Sequence, residues 1–184
     1  MLIALTGGAR SGKSRAATAT ATSLGAPVTF IATAEAGDGE MAERIARHRA
    51  DRPEAWATVE SPIDLVGAAG CVDPAETIII DCLSMWVANR MLEGSADDES
   101  ADAARLGEIT AATRELVAHL RGRDGTSIVV TNEVGSGVVP ATPLGRVYRD
   151  VLGSVNQIVV EASDRAYLVV AGKLLELSGP DGGA

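Results

Sequence analysis

The amino-acid sequence predicts an α/β fold: a mainly parallel central sheet flanked by helices, ending in an antiparallel hairpin. Three observations carry this expectation. Short apolar runs alternate with longer segments of helical period, the pattern of strand–helix units around a parallel sheet. A glycine-rich turn, GGARSGKS, joins the first apolar run to the first helical segment. At the other end, two β-rich runs face each other across Gly172.

The elements follow in order. Leu2 to Thr6 reads as a brief buried strand, and the helix after the glycine-rich turn runs from about Lys13 to Ser23. Val28 to Ala32 is a second strand. Glu40 to Ala50 reads as a helix that Pro53 ends, because the residue before a proline is pushed out of the helical region. Trp56 to Glu60 is a short strand. TIIID, Thr77 to Asp81, is a β-branched run between turn signals and therefore a central strand. Leu106, Ile109, Ala112, Leu116, Val117 and Leu120 recur at helical spacing and mark a long amphipathic helix. Ser127 to Thr131 is another buried strand. Leu144, Val147, Tyr148, Val151, Leu152, Val155 and Val159 give a second strong helix, and Tyr167 to Ala171 pairs with Lys173 to Leu177. No internal repeat or linker interrupts the pattern, so residues 1–184 are expected to form one domain.

Composition narrows the function classes. Hydrophobic residues make up 46% and aromatics only 3%, so the core must be built from Ala, Val, Leu and Ile. The net charge of −9 is the wrong sign for a general nucleic-acid binder, and any anion must be held by a local cluster. No run approaches the roughly 20 apolar residues that span a bilayer. The opening apolar run lacks a positive flank and is not read as a signal peptide. Two cysteines, Cys71 and Cys82, are too few for a disulfide framework or a zinc site, so a reducing cytoplasm is the expected compartment.

Gly7, Gly8, Ala9, Arg10, Ser11, Gly12, Lys13 and Ser14 match G-x-x-x-x-G-K-[ST], with the required strand before and helix after. The glycines let the backbone wrap so that amide N–H groups point at phosphate oxygens. Lys13 supplies charge for the β- and γ-phosphates, and the Ser14 hydroxyl can ligate Mg²⁺. The expected fold is thus P-loop NTPase-like. Asp81, ending the TIIID strand, is the expected second metal-holding group beside that loop; an ordinary helix-capping aspartate is the competing reading. These features point to a nucleoside triphosphate with magnesium without selecting a reaction.

Arg44, Arg47, His48, Arg49 and Arg52 put five potentially cationic side chains into nine residues. Such a cluster would hold a polyanion, although a solvated arginine-rich face is the commoner outcome. On a helix, Met41 and Ile45 mark the buried side, and His48 falls at its edge. Neighbouring arginines disfavour the imidazolium, leaving a neutral imidazole that could attack an α-phosphorus, expel pyrophosphate and carry the nucleotide. His119, late in a helix near Arg121 and Arg123, reads as a dipole partner or surface residue. The acidic stretch Glu93 to Asp102 reads as a mobile surface loop. Asn132 to Pro143, following a strand and rich in glycine and proline, is the loop expected to line a ligand crevice.

Six blocks carry a specific resemblance: GGARSGKS at Gly7 to Ser14, FIATAEAGDGEMAERIARHRADRPEAWATVE at Phe30 to Glu60, DCLSMWVAN at Asp81 to Asn89, TNEVGSGVVP at Thr131 to Pro140, LGRVYRDVLGSVNQ at Leu144 to Gln157, and LVVAG at Leu168 to Gly172. Over nearly its whole length the chain resembles the bifunctional adenosylcobinamide kinase / adenosylcobinamide-phosphate guanylyltransferase family of cobalamin biosynthesis. The phosphate loop is widely shared; the RIxxHRxxRPxxW and NEVGxGxVP blocks are far more particular.

The resemblance implies two steps. ATP or GTP phosphorylates the aminopropanol hydroxyl of adenosylcobinamide. GTP then guanylylates a histidine, here His48, which passes GMP to that phosphate to give adenosylcobinamide-GDP. It also implies guanine-nucleotide contacts from Ala32, Thr33 and Ala34, from Arg49, Ala50, Asp51 and Arg52, and from Glu60 and Asp81. It implies a homotrimer with sites between subunits. The NEVGxGxVP loop with Arg146, Arg149 and Asp150 would build the corrinoid or phosphate side. Lys173 departs from the family pattern, which is apolar there, and the acidic stretch matches no family block. The alternative on the same fold is a monofunctional small-molecule kinase, whose arginines would clamp the transferred phosphoryl group. A nucleotide-dependent switch or ATPase subunit acting on a protein partner is a third reading, but it would need a water-positioning residue and an exposed partner surface, and the sequence displays neither clearly.

Overall fold

The computed structural model describes residues 1–35, 39, 43, 46, 49–50, 52–93 and 103–179. Seven strands form one sheet: β1 (Leu2–Thr6), β2 (Val28–Ala32), β3 (Ala57–Glu60), β4 (Thr77–Asp81), β5 (Ser127–Val130), β6 (Arg165–Val170) and β7 (Lys173–Leu177). The described helices are α1 (Lys13–Leu24), α2 (Leu65–Gly70), α3 (Leu83–Leu92), α4 (Ala103–Arg121) and α5 (Pro143–Ala162). Residues 43, 46, 49 and 50 are also helical, within the helix expected from Glu40 to Ala50, and so is Gly39 just before it.

The sheet order is β3-β2-β4-β5-β1-β6-β7. All pairs are parallel except the last, β6 with β7. The expected hairpin therefore forms. Its two-residue turn holds Ala171 at φ 49° and Gly172 at φ 77°, the left-handed pair that matches the twist of the flanking strands.

Alternation along the central strands divides the core. Leu2, Ala4, Ile31, Ile78, Ile80 and Val129 face α2 to α5 and pack with Leu65, Trp86, Leu116, Leu120, Leu152 and Val155. Ile3, Leu5, Phe30, Ile79, Ile128 and Val130 face the other way, against Ala17 and Ala21 of α1. Both faces are thus covered, as a parallel sheet requires. The small side chains of α1 let that helix lie close to the sheet, which brings its N-terminus down onto the end of β1.

Two helices are additions to the sequence expectation. The first, α2, is short and capped by Asp64, whose carboxylate accepts from the Gly67 amide at 2.9 Å. The second, α3, is buried through Leu83, Ser84, Trp86, Val87 and Met91, and the Trp86 indole donates to Ile63 O at 2.7 Å. His119 is half-buried in the last turn of α4, with Nε2 3.2 Å from Ala69 O, so it bridges α4 to α2 rather than simply facing solvent. Of the acidic stretch, residues 94–102 lie outside the described residues. No described helix is long and apolar enough to cross a membrane.

Candidate functional site

The chain leaves β1 through Gly7 at φ 149°, passes Arg10 at φ 57° and Gly12 at φ 100°, and enters α1 at Lys13. A Cβ at position 7 would stand 2.3 Å from the carbonyl oxygen of Val169 on β6, so the loop can run there only as glycine. The β6–β7 turn closes on the loop from the side: the Gly172 amide donates to Ser11 O at 2.7 Å. Gly12 caps α1 without a side-chain bond, leaving first-turn amides directed into the loop. The buried Lys13 ammonium donates to Gly7 O at 2.8 Å and Gly8 O at 2.7 Å, and lies 3.5 Å from Ser11 Oγ. A glycine-rich loop, a helix N-terminus and an ammonium thus meet at the end of β1, an arrangement that suits a polyphosphate. Ser14 is half-buried on the first turn of α1.

β1 lies between β5 and β6, so Asp81 at the end of β4 is separated from the phosphate-loop strand by β5. The Asp81–Cys82 peptide is cis. Beyond it the strand ends are joined by side chains. Thr33 is fully buried; its hydroxyl accepts from Cys82 N at 2.8 Å and donates to Cys82 O at 2.7 Å, while its amide donates to Asp81 O at 3.2 Å. Cys82 Sγ lies 2.9 Å from Ser84 Oγ, which accepts from Asn132 Nδ2 at 2.8 Å. Asn156 on α5 accepts from Thr131 Oγ1 at 2.6 Å and donates to Asn132 O at 2.9 Å. The Glu133 amide then donates to Gly7 O at 3.0 Å. A continuous polar chain therefore ties the ends of β2, β4 and β5 to the phosphate loop. Burial pushes the Cys82 thiol pKa up, and the Asp81 charge adds to it.

The arginine side of the site is partly described. Arg52 lies 3.6 Å over the Phe30 ring, and its Nη1 is 3.4 Å from Thr58 Oγ1. Burial lowers its pKa while the Asp81 charge opposes the shift. Its Nε is buried with no hydrogen-bond partner among the described residues. Arg49 reaches Glu60 at 3.7 Å across an exposed edge. Ala32 and Ala34 are half-buried beside Thr33, and Ala50 is exposed. Arg44, Arg47, His48 and Asp51 lie outside the described residues. A cavity of about 550 Å³ runs between β3 and α2; of the expected contacts only Glu60 lines it, so this hollow is not the phosphate site.

Asn156, Ser84 and Tyr148 were not singled out by site reasoning from the sequence. Asn156 carried a signal: it is a polar residue among Val151, Leu152, Val155 and Val159 on the buried stripe of α5. Tyr148 donates to Ser84 O at 3.0 Å and ties α5 to the same network.

The family described as Cobinamide kinase / cobinamide phosphate guanyltransferase matches residues 3–177. The chain belongs to this family. It is 42% identical over 174 residues to the bifunctional adenosylcobalamin biosynthesis protein CobP of Pseudomonas aeruginosa, covering 94% of this chain and 95% of that protein. It is 39% identical over 177 residues to CobU of Escherichia coli and 40% over 179 residues to CobU of Salmonella typhimurium, both named bifunctional adenosylcobalamin biosynthesis proteins. Each of those two alignments covers 94% of this chain and 97% of the relative. Family membership favours the two-step reading over a monofunctional kinase. The match begins in β1 and ends at the last residue of β7, so it takes in the phosphate loop, the strand-end network and the closing hairpin together.

Proposed function

We propose that this protein carries both activities of its family: phosphorylation of adenosylcobinamide, then transfer of GMP from GTP to give adenosylcobinamide-GDP. The observation that carries the reading is the match over residues 3–177 on a chain whose loop is built to close on a polyphosphate. Gly7, Gly8, Ala9, Arg10, Ser11, Gly12, Lys13 and Ser14 would cradle the phosphates. In this structure the Lys13 ammonium rests on two neutral carbonyls. Charged phosphate oxygens are stronger acceptors, so a bound triphosphate would draw it outward.

Ser14 and Asp81 offer a hydroxyl and a carboxylate. That all-oxygen donor set fits Mg²⁺, which keeps waters and takes phosphate oxygens for its remaining positions. When bound, the ion supplies neutralisation of charge on the phosphoryl oxygens.

In the second half-reaction, a neutral His48 imidazole attacks the α-phosphorus of GTP. The bond to the bridging oxygen breaks, pyrophosphate leaves, and the guanylyl group is passed to the substrate phosphate. Ala32, Thr33, Ala34, Arg49, Ala50, Asp51, Arg52, Glu60 and Asp81 would surround the guanine nucleotide. A homotrimer with sites between subunits, working in the cytoplasm, completes the reading.

The test is retention of label. The pure protein is incubated with Mg²⁺ and GTP labelled at the α-phosphate, then denatured. Acid-labile, alkali-stable label that disappears in His48→Ala supports the guanylyl-histidine. No label in the wild type, with acceptor-dependent γ-phosphate transfer intact, would leave a kinase only.

A further inference from the structure

Three carboxylates stand at or just beyond the carboxyl ends of the strands flanking this site. Glu60 ends β3 and pairs with Arg49 at 3.7 Å. Asp81 ends β4 and interacts with the Arg52 charge. Glu133 follows β5, the strand directly beside β1. Its amide and the Lys13 ammonium donate to the same oxygen, Gly7 O, at 3.0 and 2.8 Å. The residue is therefore fixed at the rim of the phosphate loop by its own backbone.

Its side chain is used unequally. Oε1 accepts from the Gly135 amide, from the Ser136 amide at 2.9 Å, and from Ser136 Oγ at 3.4 Å. Oε2 takes no hydrogen bond from any described residue, and Glu133 is half-exposed. The far end of the loop is also held, since Arg146 Nη1 donates to Pro140 O at 3.0 Å and Ala141 O at 2.9 Å. A carboxylate held by one oxygen, with the other oxygen's lone pairs open, is oriented to accept a proton without first breaking its own support.

We propose that Glu133 is the general base of the phosphorylation step, an inference that rests on the kinase half of the function above. The acceptor hydroxyl gives its proton to Oε2 as its oxygen bonds to the γ-phosphorus. The bond from that phosphorus to the β–γ bridging oxygen breaks, and the nucleoside diphosphate leaves. Asp81 is less suited, standing one strand further from β1. The guanylyl half-reaction needs no such base, because its nucleophiles are an imidazole and a phosphate. Loss of the base should therefore split the two activities.

Glu133→Gln is the informative variant. Its carboxamide oxygen can still accept from the Gly135 and Ser136 amides, so the loop keeps its support while the basic oxygen is lost. γ-Labelled ATP with adenosylcobinamide reads phosphorylation, and α-labelled GTP reads enzyme guanylylation, both on the full-length protein across a pH series. The expected result is a kcat for phosphorylation lower by about a hundred- to ten-thousandfold. The acidic limb of its pH profile should disappear, KM for ATP should hold within a few-fold, and guanylylation should persist. Glu133→Ala should lose phosphorylation similarly and lose thermal stability as well. A kcat within threefold of wild type in Glu133→Gln would overturn the assignment alone, as would equal losses in both half-reactions. Absence of phosphoryl transfer in the wild type would overturn the kinase reading and the base with it.

Discussion

Replacement of Asn156 by leucine tests the polar chain at its most buried point. Asn156 is 9% exposed and Thr131 is fully buried, so neither can turn to water without local opening. Leucine has similar bulk and suits the apolar stripe formed by Val151, Leu152, Val155 and Val159. The substitution therefore isolates the two hydrogen bonds, the one accepted from Thr131 at 2.6 Å and the one donated to Asn132 O at 2.9 Å. Each buried polar group left without a partner costs about 1–3 kcal/mol. Asn132 is half-exposed, so its carbonyl should fall at the low end and the Thr131 hydroxyl at the high end. Burying the leucine side chain returns part of that cost, and a net loss of about 2–4 kcal/mol remains. In a domain of this size the corresponding fall in Tm is roughly 5–15 °C. Urea unfolding should show a lower midpoint with an unchanged slope. Thr131→Val in the Asn156→Leu background should recover about 1 kcal/mol, because the orphaned hydroxyl is gone. A loss below about 0.5 kcal/mol in Asn156→Leu, or strict additivity of the two changes, would refute the reasoning.

Gly7→Ala should abolish the rise in Tm that Mg²⁺-ATP gives the wild type, because its Cβ would meet the Val169 carbonyl oxygen at 2.3 Å, whereas Gly8→Ala, with nothing within 4 Å of its Cβ, should stay folded like the wild type; thermal scans with and without nucleotide check both. Burial, chiefly, pushes the Tyr148 hydroxyl up to about 12 from an ordinary 10, so the folded state holds that proton more tightly and its contribution to stability, complete below pH 10, is lost as pH rises toward 12; the urea midpoint should fall less steeply above pH 10 in Tyr148→Phe than in wild type, although the variant starts lower by about 1 kcal/mol for the lost bond to Ser84 O.

Legibility in the sequence followed the range of the interactions. The phosphate loop was readable because its chemistry lies in eight consecutive residues, Gly7 to Ser14, whose backbone demands restrict side chains locally. The strands were readable because burial on both faces leaves continuous apolar runs such as Thr77 to Asp81. Strand order was not, because pairing partners leave no local mark. TIIID could be recognised as a strand, but not that Ser127–Val130 would stand between it and β1. The helix α3 escaped a period-based reading because it is buried around much of its circumference, leaving no polar stripe to set against an apolar one. The polar chain through Thr33, Ser84, Asn132 and Asn156 joins residues up to 123 positions apart along the sequence only through intermediates, which no spacing rule detects.

That separation has a physical reason. Strand carboxyl ends release backbone groups that the sheet no longer pairs, and the ligand crevice of a parallel sheet opens there. Something must satisfy those groups without filling the crevice with apolar side chains. Here the carbonyls of Cys82, Thr33 and Asn132 are taken by the side chains of Thr33, Asn89 and Asn156 respectively, and Tyr148 adds a bond to Ser84 O in the first turn of α3. The donors come from β2's end and from α3 and α5, helices already held by the larger core cluster. The opposite wall follows a different design. There α1 lies on alanines, and the loop's close approaches are made by glycine at positions 7, 12 and 172. One wall is thus fixed by buried hydrogen bonds and the other by steric exclusion. The Glu133 amide on Gly7 O is where the two meet, so a carboxylate proposed to deprotonate a hydroxyl attacking a phosphate held by the second wall is best carried by the strand that ends the first.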